Sequence, residues 1–228
     1  MKKSRDSVFF PILINVQNFP CLVIGGGTIA GQKVTSLLKF NADVTVISPK
    51  VSKSIDDLLK KGKIKLIKQV YSKKFLSNFK FVFCATNNPQ VDKIVHNDCK
   101  QIGILINVAD CPSLCDFILP ANIVRGDLTV SVSSQGKAPF YTKEMKRKLE
   151  KYISPIYRDI INLAGDLRKQ LLIKLPKSDD KSREINNAKT KAEVFKKFCS
   201  FNWEKTLTKD KKNSKYYVQK ILKDFNLS

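Results

Sequence analysis

Residues 21–40 read CLVIGGGTIAGQKVTSLLKF, and the fold turns on them. Four apolar residues, Cys21–Ile24, have the length of a buried strand. Three glycines follow. Beyond them apolar residues fall at 30, 34, 37 and 38, the spacing of one helix face, which predicts a helix from about Ile29 to Phe40. Between strand and helix lies Gly25-x-Gly27-x-x-Ala30, the dinucleotide fingerprint in its G/A form. The first glycine permits the tight turn, the second removes a Cβ from the path of a pyrophosphate, and the small third residue lets helix and strand pack closely. The helix start then offers unpaired N–H groups and the positive end of its dipole to phosphate. A glycine turn with no cofactor is the competing reading.

Outward from this turn, strand and helix alternate. ADVTVIS reads as a strand, 51–61 as a helix, KIKLIK as a strand, 72–78 as a short helix, FKFVFCAT as a strand, NPQVDKIVHNDCKQ as a helix and GILINV as a strand. That rhythm predicts an α/β fold with a Rossmann-type parallel sheet over residues 1–110. After Val108 the pattern changes. DLTVSVSS alternates like a half-buried strand, and KAPFYTKEMKRKLEKYI reads as a helix with Pro139 near its start. Pro155 should interrupt it, and from 158 onward only helices follow, broken around LPKSDDKSRE. The expected division is a nucleotide-binding domain (1–110), a small α+β segment (111–155) and a helical C-terminal domain (156–228).

Composition narrows the class. The chain is 43% hydrophobic and 27% charged, that of a globular protein rather than a disordered one. No apolar run spans a bilayer, and MKKSRDSVFFPILINV lacks the apolar core and cleavage site of a signal peptide. The six cysteines are scattered, apart from Cys111 and Cys115, which fits a reduced, cytoplasmic protein. The net charge of +22 suits a solvated lysine-rich surface or an anionic partner. With no zinc-finger or RNP signature present, a nucleic-acid partner is not expected.

Two stretches carry further chemistry. A standard NAD site has an acid at the end of the second strand, on the ribose hydroxyls. Here that strand ends in Ser48, Pro49 and Lys50, and Asp43 sits at its other end. Ser48 can bond a ribose and Lys50 can favour a 2′-phosphate, so these residues leave NAD and NADP both open. In NVADCPSLCDF, Asp110 follows an apolar strand at the sheet edge where ligands bind in open α/β folds. It can be a general base or a loop aspartate, with Asp116 as the second acid. Cys111 and Cys115 have no matching ligand pair, and His96 lies in a helix elsewhere, so no protein metal site is expected.

Four blocks, PILINVQNFPCLVIGGGTIAGQKVTSLLKFNADVTVISP, FVFCATNNPQVDKIV, LINVADCPSLCDFILPA and LTVSVSSQGKAPFYTKEMKRKLE, resemble in order and spacing precorrin-2 dehydrogenase, the dehydrogenase module of siroheme synthase. The resemblance implies NAD-linked oxidation of precorrin-2 to sirohydrochlorin, and in some members insertion of Fe2+ to give siroheme. It implies that Asp110 is the catalytic acid–base residue. It places Thr28, Ile29, Pro49 and Lys50 next to the cofactor and Thr86 along the same edge, beside Gly25, Gly27, Ala30 and Ser48. A tetrapyrrole with many carboxylate arms also gives the positive charge a use, with Ser134, Lys137 and Arg125 as candidate contacts. The resemblance further implies a homodimer paired through 111–155. The rival function is a dinucleotide-binding regulatory module without catalysis.

Overall fold

A computed structural model describes residues 8–227. The first seven residues, where the absence of a signal peptide was read, lie outside the described residues, as does Ser228. The chain divides into two compact units: the described residues up to Leu119 with Gln135–Lys137, and Pro120–Ser134 with the described residues from Ala138.

The first unit is a parallel sheet of five strands, β1 (Pro20–Ile24), β2 (Asp43–Ile47), β3 (Lys65–Ile67), β4 (Phe81–Cys84) and β5 (Leu105–Val108), in the order β3-β2-β1-β4-β5. Helices α1 (Thr28–Leu38), α2 (Lys53–Lys60) and α3 (Pro89–Ile102) connect them. The apolar runs are continuous because both faces of the sheet are covered. On one face Ala30, Val34 and Leu37 of α1 and Ile55 of α2 pack against Val23, Val44, Val46 and Phe83. On the other, Val95 and Cys99 of α3 pack against Leu22, Ile24, Ile106 and Val108. Asn88 caps α3 through its side-chain oxygen, which accepts from the N–H groups of Gln90 and Val91. The short helix read at 72–78 is a single 3-10 turn, Lys73–Leu76. One buried residue, Leu76, anchors it.

The unit runs past residue 110 because the chain folds back along β5. Asp116 N–H donates to the Ile106 carbonyl at 2.8 Å, and Phe117 packs edge-on against Phe81 and Phe83 at 5.4 Å.

The second unit opens with an antiparallel hairpin, β6 (Ala121–Arg125) and β7 (Leu128–Val132). β6 is absent from the sequence reading. Gly126, at φ +62, supplies the positive φ that a tight hairpin turn needs. Five helices follow: α4 (Pro139–Tyr152), α5 (Tyr157–Lys174), α6 (Lys181–Ser200), α7 (Trp203–Asp210) and α8 (Ser214–Lys223). Pro155 lies in the break between α4 and α5, as expected. The last four helices share a core that includes Leu167, Leu171, Val194, Trp203 and Leu222. None of the described helices is long and apolar enough to cross a membrane.

Candidate functional site

The C-terminal ends of β1, β2, β4 and β5 converge on one edge of the sheet. β1 is where the chain order reverses, since β2 and β4 flank it. Crevices at such a reversal are where open α/β sheets bind ligands. Gly25 leaves β1 with φ +116, and a Cβ there would meet the Ala85 carbonyl oxygen at 2.2 Å. A Cβ on Gly26 would meet the Lys50 carbonyl oxygen at 1.9 Å. These two glycines are required by the protein itself. Gly27 is different: its Cβ would meet nothing within 4 Å. It caps α1 in an extended conformation without a side-chain cap. The first-turn N–H groups of Thr28 and Ile29, both exposed, therefore point to the space above it. Ala30 is fully buried, as close helix–strand packing demands. The first turn of α1 carries no acid. The turn thus fits a dinucleotide phosphate in shape and in charge.

Ser48 is buried, and its hydroxyl donates to the Lys50 carbonyl at 2.6 Å, which closes the turn after β2. Its oxygen can still accept from a ribose hydroxyl. Pro49 and Lys50 are exposed beside it. Thr86, after β4, donates to Asp92 Oδ1 at 2.6 Å and accepts from Asn88 N–H at 3.1 Å. Its hydroxyl is thus engaged in starting α3.

Asp110 lies in the turn that follows β5, where Cys111 N–H donates to the Val108 carbonyl. Its φ is +57, in the left-handed region. Aspartate tolerates that region better than most residues, though at some cost. The side chain is exposed, and no described residue bonds its carboxylate. Asp116, the other acid, is engaged: it accepts from Ile106 N–H at 3.1 Å and pairs with Lys100.

The two cysteines answer to the backbone. Cys115 Sγ accepts from Val108 N–H at 3.1 Å and donates to the Val108 carbonyl at 3.2 Å. Burial pushes its thiol up from the ordinary range, so it stays protonated at neutral pH. His96 Nδ1 lies 3.0 Å from the Leu114 carbonyl oxygen. Among the described residues no three His, Cys, Asp or Glu side chains converge.

Two residues at this edge escaped the sequence reading. Lys33 of α1 reaches across to β5, where its Nζ donates to Asn107 Oδ1 at 3.2 Å. Asn107, 5% exposed, also donates to the Phe117 carbonyl at 3.0 Å. The available signal was spacing: position 33 is three after Ala30 and four before Leu37, both on the buried face.

The other candidates lie elsewhere in the chain. Arg125, in β6, donates through Nε to the Ile153 carbonyl at 2.9 Å. Ser134 Oγ accepts from Ala138 N–H at 3.0 Å and from the Thr142 hydroxyl at 2.9 Å, which anchors the start of α4. Lys137 is exposed in the segment Gln135–Lys137, next to Gly136 at φ +80.

Known proteins resemble this chain in sequence and in fold. The NAD(P)-binding family model matches residues 12–121. Siroheme synthase of Psychrobacter sp. (strain PRwf-1) is 36% identical over 167 residues, 73% of this chain and 34% of that protein. Siroheme synthase of Vesicomyosocius okutanii subsp. Calyptogena okutanii (strain HA) is 35% identical over 173 residues, 76% of this chain and 37% of that protein. The chain thus spans about a third of the length of these relatives. Among solved structures, SirC, a precorrin-2 dehydrogenase, superposes with a TM-score of 0.71 at 26% identity, covering 94% of this chain and 100% of SirC. The chain is therefore similar over about three quarters of its length to siroheme synthases, carries a Rossmann-type domain that fits a nicotinamide dinucleotide, and shares the fold of a precorrin-2 dehydrogenase.

Proposed function

We propose that this chain oxidises precorrin-2 to sirohydrochlorin with NAD+ as the oxidant and Asp110 as the general base. One observation carries the reading: an exposed carboxylate, held at φ +57, stands at the same sheet edge as the glycine turn. Strained backbone at a ligand-binding edge is a common mark of a working residue. A bound nicotinamide supplies the hydride acceptor. Gly27 and the start of α1 hold the pyrophosphate, and Ser48 accepts from the ribose. Asp110 takes the proton that the macrocycle loses as the hydride departs, so two electrons and one proton are accounted for. NAD rather than NADP is what the resemblance implies, while Ser48 and Lys50 after β2 suit either nucleotide.

The resemblance also implies a ferrochelatase step, in which Asp110 would accept the pyrrole N–H protons as Fe2+ enters the macrocycle. Ser134, Lys137 and Arg125 are proposed contacts for the carboxylate arms. The resemblance implies a homodimer paired through 111–155, a stretch that includes the β6–β7 hairpin of the second unit. Phe140, Tyr141 and Tyr152 of α4 are exposed in the same unit. Six free cysteines fit a reducing cytoplasm.

The test is anaerobic: precorrin-2 generated in situ, the purified chain, and NAD+ or NADP+ in parallel, with the sirohydrochlorin spectrum followed. Turnover with NAD+ that disappears in Asp110→Asn supports the reading. Absence of turnover with either nucleotide, from folded protein, refutes it. Ferrous iron added afterwards tests chelation, and light scattering on a sizing column tests the dimer.

A further inference from the structure

Lys33 is a half-buried cation without a carboxylate in contact. Elsewhere in the molecule lysines pair with acids: Lys65 with Asp43 at 2.8 Å, Lys60 with Asp56 at 2.7 Å, Lys211 with Asp159 at 2.8 Å. Lys33, less exposed than these, has no acid within 4 Å among the described residues. Its one acceptor is the amide oxygen of Asn107. The orientation of that amide is fixed, because the Phe117 carbonyl can only accept and therefore takes the Asn107 nitrogen. The oxygen is thereby aimed at Lys33. A neutral amide holds an ammonium in place but does not neutralise it, and two of its N–H groups are left over.

Burial pushes the Lys33 amine down, and it outweighs the attraction of Cys115 and Asp110, which act in the opposite sense. Since Cys115 is protonated, Asp110 is the acid whose charge bears on Lys33 at neutral pH. A preorganised cation beside the proposed base, short of a counter-charge, is a seat for an anion brought by the ligand.

We infer that Lys33 is a specificity residue of this site: its ammonium, tethered by Asn107 beside Asp110, receives one carboxylate arm of the tetrapyrrole and sets which carbon faces the base. The inference rests on the dehydrogenase reading. It gives the α1 helix two tasks, phosphate at its start and a substrate carboxylate near its middle.

The test uses Lys33→Gln, which keeps a donor for Asn107 and removes the charge, and Lys33→Arg, which keeps both. Binding of sirohydrochlorin and of its octa-amide is titrated anaerobically by fluorescence, alongside NAD+ affinity, Tm, kcat and KM. In Lys33→Gln, sirohydrochlorin affinity should fall and KM for precorrin-2 rise on the order of tenfold to a hundredfold, the range of a charge-assisted contact. Octa-amide affinity, NAD+ affinity and Tm should stay at the unsubstituted values, and Lys33→Arg should recover most of the loss. Parallel loss for acid and amide, or a fall in Tm and NAD+ affinity, would assign Lys33 to packing and overturn the inference. Equal sirohydrochlorin binding with and without the charge would also overturn it and leave the dehydrogenase standing. If the unsubstituted chain neither binds nor oxidises the tetrapyrrole, the dehydrogenase reading fails and the inference with it.

Discussion

Replacing Gly27 by alanine separates what the fold needs from what the cofactor needs. A Cβ at Gly27 would meet nothing within 4 Å, and the residue has φ −80 and ψ −170, a conformation alanine adopts freely. Two small stability terms then oppose each other. Restricting the unfolded chain contributes about 0.4–1 kcal/mol of stability. Exchanging glycine for alanine at a helix N-cap costs about 0.5–1 kcal/mol, since alanine is among the poorest caps. The net is close to zero, and at about 2–4 °C per kcal/mol for a chain of this size Tm should move by no more than about 2 °C. The same methyl group occupies the space over which the pyrophosphate must pass, so NAD+ affinity should fall at least tenfold, about 1.4 kcal/mol. Gly25→Ala is the contrast: at φ +116 with a carbonyl oxygen 2.2 Å from the new Cβ, it should lower Tm by several degrees. Calorimetric titration with NAD+ and thermal denaturation by circular dichroism read the two quantities separately. Unchanged NAD+ affinity in a folded Gly27→Ala protein would mean that no pyrophosphate crosses this turn, and the argument from open space would be wrong.

Further expectations concern other residues. Asp110→Asn should cut turnover by at least about a hundredfold. Its Tm should hold within about 1 °C, because the side chain is exposed and asparagine accepts the left-handed conformation; a large drop in Tm would point to a structural aspartate. Asp116→Ala strands the Ile106 N–H and releases Lys100, and should cost about 1–3 kcal/mol, read as a lower urea midpoint. Burial pushes Cys21 up to about 11 and Cys99 up to about 12, and raises Cys84 further. At pH 8 these three should resist a thiol reagent that reacts readily with exposed Cys199, and should react only on unfolding. Because their folded pKa values lie above the ordinary thiol value, their contribution to stability is complete below about pH 8.5. It should decline as pH rises through 11, so denaturation midpoints should fall in that window.

The parallel sheet was legible because its signals are local. Cys21–Ile24, the three glycines and the apolar spacing of α1 lie within twenty residues, and each supports the same reading. β6 was not legible: ANIVR follows a proline and becomes a strand only because β7 returns beside it. Lys33 and Asn107 were hidden for a different reason. Asn107 sits inside the apolar run LINV, and its role depends on a helix more than seventy residues earlier passing over β5. The hydroxyls of Ser48 and Thr86 were read by their place at strand ends. That both donate to the protein's own carbonyl or carboxylate depends on turn geometry that the residue types leave unspecified. Cys111 and Cys115 stood out by their spacing alone, and the approach of the backbone decides what Cys115 bonds.

The return of the chain along β5 has a wider consequence. β5 is the last strand of its sheet, and an outer strand normally shows a row of unpaired N–H and C=O groups to any other chain in an extended conformation. Here the outward groups of Ile106 and Val108 are all taken by Asp116 and Cys115, three of the four by side chains that mimic a neighbouring strand. A short acidic and thiol-bearing loop therefore works as a selvage, finishing the woven border so that it cannot be extended. With β3 only three residues long at the opposite border, the Rossmann sheet offers little to add to. Growth of this sheet by strand addition is thereby closed off along β5.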